Sequence, residues 1–354
     1  MTPAGAADAA RAGAARLVLG IESSCDEMAA AVVEAGRYIR SSVIHSQTDV
    51  HAPYGGVVPE LASRDHVRHV CAVVEEALLR AGVEASELSA VAVTSGPGLV
   101  GSLLVGLSFG KALAFRLGVP CVGVHHLAGH LASAELADPD LRPPYLGLVV
   151  SGGHTALYRI EDASPPALLG QTRDDAVGEA FDKVAKLLGL PFPGGPAVSE
   201  AARAGDASAV ALPRPLEALP GLDFSYSGLK TAVALEVERR RPLDARGVAD
   251  LAASFEAAAT DVLVARARRA LEQEGLWRLA VVGGVAANRR LRDSLARAAR
   301  EDGIRVVFPP LSLCTDNAAM IAAAGARRLA AGERDGLELE AFSRLPLGAR
   351  TGAP

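Results

Sequence analysis

The chain reads as an α/β protein of two domains. Three observations point there. At 354 residues it exceeds what one hydrophobic core usually organises. Strand-like and helix-like segments alternate, which implies a largely buried mixed sheet flanked by helices. One plan also occurs twice. Leu17 to Glu34 and Tyr145 to Ile160 each run as apolar strand, short polar turn and returning strand, as an internal duplication would leave them.

The elements follow in order. A helix is predicted over Pro59 to Arg80, with Pro59 at a first helical position, Val67, Val70, Val74 and Leu78 as its apolar stripe, and Gly82 as its stop. Ala90 to Thr94 reads as a strand, Gly96-Pro97-Gly98 as a loop and Gly101 to Leu117 as a helix. A strand from Val119 to Val124 then delivers a helix that opens near His126. In the second half, helices are predicted over Asp175 to Leu188, Gly228 to Arg239 and Val248 to Gln273, whereas Pro191 to Pro196 is too rich in proline and glycine to be helical. Leu279 to Val282 and Ile304 to Phe308 read as strands, with Gly283-Gly284 leading into an Ala/Arg helix that ends at Arg300. A last helix is expected from Asp316 to Ala331, and a loose tail after Gly332.

Composition narrows the class. Half the residues are hydrophobic and the formal net charge is −5, so the chain is globular and not coated in basic surface. Arginines cluster at Arg239, Arg240, Arg241 and Arg246, and again at Arg289, Arg290, Arg292, Arg297 and Arg300. Both clusters are interleaved with acids and read first as solvated helix faces. Cys25, Cys71, Cys121 and Cys314 show no paired spacing, which fits a reduced, cytoplasmic protein. No apolar run reads as a membrane span, and residues 1–16 read as a flexible extension. Lysine occurs only at Lys111, Lys183, Lys186 and Lys230, each beside a glycine loop or motif.

Two features carry chemistry. His126 and His130 stand four residues apart, on one face of a helix, as two imidazoles gripping one cation would. Alone the pair is weak, since two surface histidines give the same pattern. Asp316 is the best candidate for a third ligand. The second feature is a set of glycine loops. Ser151-Gly152-Gly153-His154-Thr155 joins two strands, and its backbone N–H groups could approach an anion, with hydroxyls from Ser151 and Thr155. A tight hairpin turn is the competing reading. Gly283-Gly284 ends a strand and precedes a helix whose first turn holds Asn288, suited to an adenine edge or ribose hydroxyl. Gly194-Gly195 is a third such loop, and Asp182 could face a ribose.

These segments resemble one family. Gly20 to Met28, Tyr54 to Val67, Thr94 to Leu107, His125 to Ala132 and Val150 to Ala156 match its motifs in order. So do Asp174 to Pro191, Phe192 to Ala197, Asp223 to Ala234, Val282 to Arg289 and Cys314 to Ala326. The chain resembles the universal tRNA N6-adenosine threonylcarbamoyltransferases, once labelled O-sialoglycoprotein endopeptidases, from about Leu17 to about Arg328.

The resemblance implies two tandem RNase H-like domains of the actin/hexokinase/Hsp70 superfamily around an interdomain cleft. Residues 17–130 with 317–350 would form the first, and 131–316 the second, with a helical insertion at about 175–260. One divalent ion would lie on His126, His130 and Asp316, ligands drawn from both lobes, with ferrous iron favoured and zinc fitting the same set. Contacts to L-threonylcarbamoyladenylate fall on Val149, Val150, Ser151, Gly152, Gly153, Asp182, Gly195 and Asn288. The implied reaction carries the threonylcarbamoyl group to N6 of the tRNA adenosine just 3′ of the anticodon. Implied partners are tRNA, a catalytically silent relative of the same fold and a P-loop ATPase, with no membrane. Asp26 or Glu27, in the first hairpin, is the expected proton acceptor. Two departures stand out: Ala128 where many members carry Glu, and Glu256 where the family often has Gln.

Three other readings are weaker. A zinc protease of this type needs a glutamate beside the first histidine, and that position is Leu127. A small-molecule kinase of the same architecture uses a glycine-bearing first turn, whereas Glu22 to Asp26 contains none. A non-catalytic scaffold would be expected to lose the metal ligands, and all three are here.

Overall fold

The computed structural model describes residues 17–348 apart from Ala163 and Ala218. The expected N-terminal extension lies outside the described residues. By its contacts the chain divides into two units: Met1–Gln47, Pro59–Ala132 and Asp316–Pro354 form the first, Thr48–Val58 and Ser133–Thr315 the second.

The first unit is built on β1 (Leu17–Glu22), β2 (Glu27–Glu34), β3 (Tyr38–Ser46), β4 (Ala90–Gly96) and β5 (Cys121–His125). They lie in the order β3-β2-β1-β4-β5, antiparallel across the first three and parallel across the last. The second unit repeats this with β6 (Tyr145–Val150), β7 (Thr155–Ile160), β8 (Ala167–Gln171), β9 (Arg278–Val282) and β10 (Arg305–Val307), in the order β10-β9-β6-β7-β8. There too the hairpin side is antiparallel and the rest parallel. The duplication is thus a shared topology. Its third strands, β3 and β8, were not legible, because both are sheet edges whose exposed residues break the apolar alternation.

Helices cover the sheets: α1 (Thr48–His51), α2 (Pro59–Ala81), α3 (Val100–Leu117), α4 (His126–Ala137), α5 (Val177–Leu187), α6 (Gly194–Ala202), α7 (Ser227–Arg239), α8 (Ala245–Glu274), α9 (Arg289–Asp302) and α10 (Ala318–Ala330). The buried face of α2 runs through Ala62, His66, Val70, Val73, Val74, Ala77 and Ala81, while Val67 is 63% exposed. A buried histidine holds the place on the stripe that the apolar pattern assigns to Val67. Helix α6 starts inside the segment expected to be irregular. Pro196 is tolerated there because its missing N–H falls in a first turn that has no internal acceptor.

Helix α3 is apolar and long enough to cross a membrane by length and composition, which the sequence reading did not find. It lies against the sheet at its glycines: a Cβ on Gly110 would sit 2.2 Å from Val93 Cγ1, and one on Gly106 2.4 Å from Ser23 Oγ. Helix α10 lies on β1 in the same way, since a Cβ on Gly20 would meet the Ala318 carbonyl at 2.2 Å. These close approaches need glycine.

Of the tail expected to be loose, residues 332–348 are held. Asp335 N donates to Cys121 O and Phe342 N to Ser95 O, Lys111 Nζ donates to the carbonyls of Leu337 and Leu339, and Leu339 is buried. Backbone pairing of this kind leaves no periodic trace in sequence.

Candidate metal centre and nucleotide-binding loops

Two consecutive histidines, the last residue of β5 and the first of α4, have opposite fates. His125 is spent on structure: its Nε2 bonds to Leu345 O, its Nδ1 accepts from Leu127 N, and burial pushes it down to about 4. His126 starts α4 and turns the other way, with His130 one helical turn on. Helix α4 comes close to α10 because a glycine lies between the ligands. A Cβ on Gly129 would be 2.8 Å from Ile321 Cδ1 and 3.1 Å from Met320 Cγ. Asp316 precedes α10 instead of opening it. Asn317 is the N-cap, its side chain accepting from Met320 N.

The three expected ligands meet. Asp316 Oδ1 lies 3.1 Å from His130 Nε2 and 3.5 Å from His126 Nε2, and one donor atom from each residue falls within 4.8 Å of the others. His126 and His130 are buried and Asp316 is partly exposed, so the cluster opens on one side. All three belong to the first unit, which corrects the expectation that the ligands come from both lobes. Asp316 groups with α10, the helix packed beneath β1.

Behind His126 is a residue that sequence reasoning missed. Glu22, fully buried at the end of β1, places Oε2 3.1 Å from His126 Nδ1. A carboxylate only accepts, so Nδ1 carries the hydrogen and Nε2 is left as the ligand atom. Thr94 Oγ1 donates to the same carboxylate at 2.7 Å and Ser24 N at 2.5 Å. Burial alone would raise the Glu22 carboxyl, but the charge of His126 and its hydrogen bond hold it below the usual value. For His126, burial opposes the charge, yet the Asp316 and Glu22 carboxylates push it up to about 9. Two imidazole nitrogens and a carboxylate, one ring oriented by a second carboxylate, fit a divalent transition metal.

Asp26 and Glu27 lie at the β1–β2 turn, on the same side as this cluster's charge. Burial, then the negative charges of Asp316 and Asp26, push Glu27 up to about 9. The turn itself is fixed by Leu99 N donating to Ser24 O and by Gly98, where a Cβ would be 2.5 Å from Ser24 O.

The second unit gathers the glycine loops. The β6–β7 loop turns tightly, Ser151 N donating to His154 O and His154 N to Ser151 Oγ. Thr155 Oγ1 accepts from Val177 N at the head of α5. Both hydroxyls expected for a ligand therefore already accept from backbone. Gly283 fits tightly beside this loop, with φ of 98° and room for no Cβ, which would lie 2.4 Å from Val150 O. Asp182 on α5 accepts from Gly194 N at 2.7 Å, joining α5 to the Gly194-Gly195 loop. Asn288 closes the set. Its Oδ1 caps α9 by accepting from Leu291 N, and its Nδ2 donates to Ser199 on α6 and to Glu256 on α8. Gly152, Gly153, Gly195 and Gly284 all face open space where a Cβ would stand. Glu256 orients Asn288 and went unassigned, since sequence gives no hint that α8 meets α9 there. Two of the lysines serve structure, since Lys183 and Lys230 both pair with Asp175.

Comparison with known proteins identifies relatives of the chain as a whole. A family model described as tRNA N6-adenosine threonylcarbamoyltransferase matches residues 38–323. A protein of that name from Anaeromyxobacter dehalogenans (strain 2CP-C) is 56% identical over 325 residues, covering 92% of this chain and 97% of that protein. One from Sorangium cellulosum is 53% identical over 343 residues, 93% and 96% of the two chains. Among solved structures, component A of the (R)-2-hydroxyglutaryl-CoA dehydratase of Acidaminococcus fermentans superposes with TM-score 0.54 at 14% identity, over 89% of this chain and 99% of that one. HypF of T. kodakarensis superposes with TM-score 0.62 at 14% identity, over 90% and 48%. These two likenesses concern the fold alone, an α/β architecture of mixed sheets flanked by helices.

Proposed function

The chain belongs to the tRNA N6-adenosine threonylcarbamoyltransferase family, and from that premise we propose how it divides the reaction between its parts. It is a transferase acting on tRNA. It moves the threonylcarbamoyl group of L-threonylcarbamoyladenylate to N6 of the adenosine just 3′ of the anticodon, in tRNAs reading codons that start with A, and AMP leaves.

The second unit holds the adenylate. Backbone N–H groups of Gly152 and Gly153 take the anion, with Val149, Val150 and Ser151 lining the pocket beside them. Asp182 and Gly195 serve the ribose. Asn288 has both amide hydrogens committed, so it meets the nucleoside through its remaining carbonyl lone pair. The first unit holds one divalent ion on His126, His130 and Asp316, ferrous iron favoured and zinc suited to the same ligands. Such an ion supplies Lewis-acid stabilisation of the charge that grows as AMP departs.

The adenine N6 forms a bond to the carbamoyl carbon, the bond from that carbon to the phosphate oxygen breaks, and the N6 proton passes to a carboxylate. Asp26 and Glu27 are the two acceptors at hand. Burial, then the charges of Asp316 and Asp26, favour a proton on Glu27, so Glu27 takes the N6 proton only from its ionised form. A tRNA substrate supports a cytoplasmic location. A catalytically silent relative of the same fold and a P-loop ATPase are its proposed helpers.

The meeting of His126, His130 and Asp316, with Glu22 behind the first ring, carries this reading. Its test is reconstitution with adenylate and unmodified tRNA, following the modified nucleoside by mass spectrometry. The modification should need metal, stop with chelator, and be lost in His126→Ala/His130→Ala. A folded double variant that modifies tRNA at the normal rate would overturn it.

A further inference from the structure

A second set of metal-type donors lies in the first unit, apart from the ligands above. His45 near the end of β3 places Nε2 2.9 Å from Asp65 Oδ2 on α2. His69, one turn further along α2, places Nδ1 3.2 Å from the same oxygen. The two imidazoles stack, centroids 3.8 Å apart and planes at 22°. One donor atom from each residue lies within 4.8 Å of the others.

We propose that His45, Asp65 and His69 form a second binding site, for a borderline divalent cation such as zinc, nickel or cupric copper. Zinc bonds of about 2.0–2.1 Å in tetrahedral array put ligand atoms about 3.3 Å apart. The two donor–carboxylate separations here, 2.9 and 3.2 Å, are already close to that. The ligand set itself selects the metal class. Two imidazoles and one carboxylate favour zinc, nickel and copper, whereas magnesium and calcium prefer all-oxygen shells.

The carboxylate is the fixed member. Its side chain is 12% exposed, against 34% for His45 and 37% for His69. The imidazoles can therefore adjust around it, with solvent completing the coordination. His69 Nδ1 also lies 2.9 Å from the Asp65 backbone carbonyl and exchanges that contact for the cation on binding.

The bound ion would clip an edge strand to a helix. Strand β3 pairs only with β2, and α2 packs on both. The neighbouring His66 on α2 reaches the β1–β2 turn, its Nε2 2.9 Å from Cys25 O. The clip therefore bears on the helix that braces the turn carrying Asp26 and Glu27.

The experiment counts ions on the full chain, stripped with chelator and titrated with zinc against a chromogenic chelator of micromolar affinity. Two equivalents are expected. A His45→Asn/His69→Asn variant should lose one and keep the other, while His126→Ala/His130→Ala should show the converse loss. Circular dichroism checks folding; if the first double variant unfolds, His69→Asn alone, at an exposed position, gives the same reading. An ion count unchanged between the unaltered chain and the folded His45/His69 variant would overturn the proposal. That outcome does not touch the transferase assignment, which is read from tRNA.

Discussion

Glu22 Oε2 stands 3.1 Å from His126 Nδ1, so a carboxylate buried at the end of a strand sets the orientation of a metal-type imidazole at the start of a helix. Glu22→Gln keeps the shape but replaces the charged acceptor with a weaker neutral one. Metal affinity should fall about 10- to 100-fold, as is usual for such supporting groups. Competition against a chelator of known affinity measures it, and an unchanged constant would refute the role.

The high value of Glu27 has a pH consequence. A carboxyl raised to about 9 on folding binds its proton more tightly in the native state than in the unfolded one. Its favourable contribution is complete below pH 4.5 and is lost as pH climbs towards 9. In chelator, Glu27→Gln should therefore gain stability over the parent as pH rises from 4 to 8, the gap widening steadily across that range. Urea unfolding at the two pH values gives the comparison.

Glu256 accepts hydrogen bonds from Ser199 Oγ at 2.7 Å and Asn288 Nδ2 at 2.8 Å. A glutamine carbonyl can accept both, so Glu256→Gln should leave stability and adenylate KM nearly unchanged. Glu256→Ala leaves the Asn288 amide short of a partner and should cost about 1–3 kcal/mol. Asn288→Ala loses the α9 cap, worth about 1 kcal/mol, and should raise the KM for adenylate more than it lowers kcat.

Gly20→Ala places a methyl 2.2 Å from the Ala318 carbonyl oxygen, a backbone atom that cannot swing aside. The expected loss is about 3 kcal/mol. Because Ala318 begins the helix that follows Asp316, metal affinity should drop with it. Thermal melts and the zinc titration on one preparation test both halves; a stable variant with full affinity would contradict the packing argument.

The alternation of strands and helices, the repeated hairpin and the His126-x-x-x-His130 spacing were legible because they are local. Strand pairing, helix faces and i, i+4 neighbours are written in a few consecutive residues. Val67 was misplaced on its helix because a polar residue, His66, occupies the buried stripe, and an apolar pattern cannot register that. The tail was misread as loose because its anchors are backbone hydrogen bonds to Ser95 and Cys121.

By itself the sequence determined the class of fold, the family, and which side chains could bind a cation or surround a nucleotide. Only the tertiary structure decided that Asp316 shares a unit with the two histidines, that Glu22 and Glu256 stand behind His126 and Asn288, and that His45, Asp65 and His69 converge. The reason is range. These relationships join residues tens to hundreds of positions apart, and they exist only once close packing at glycines such as Gly20 and Gly129 has brought separate elements to contact distance.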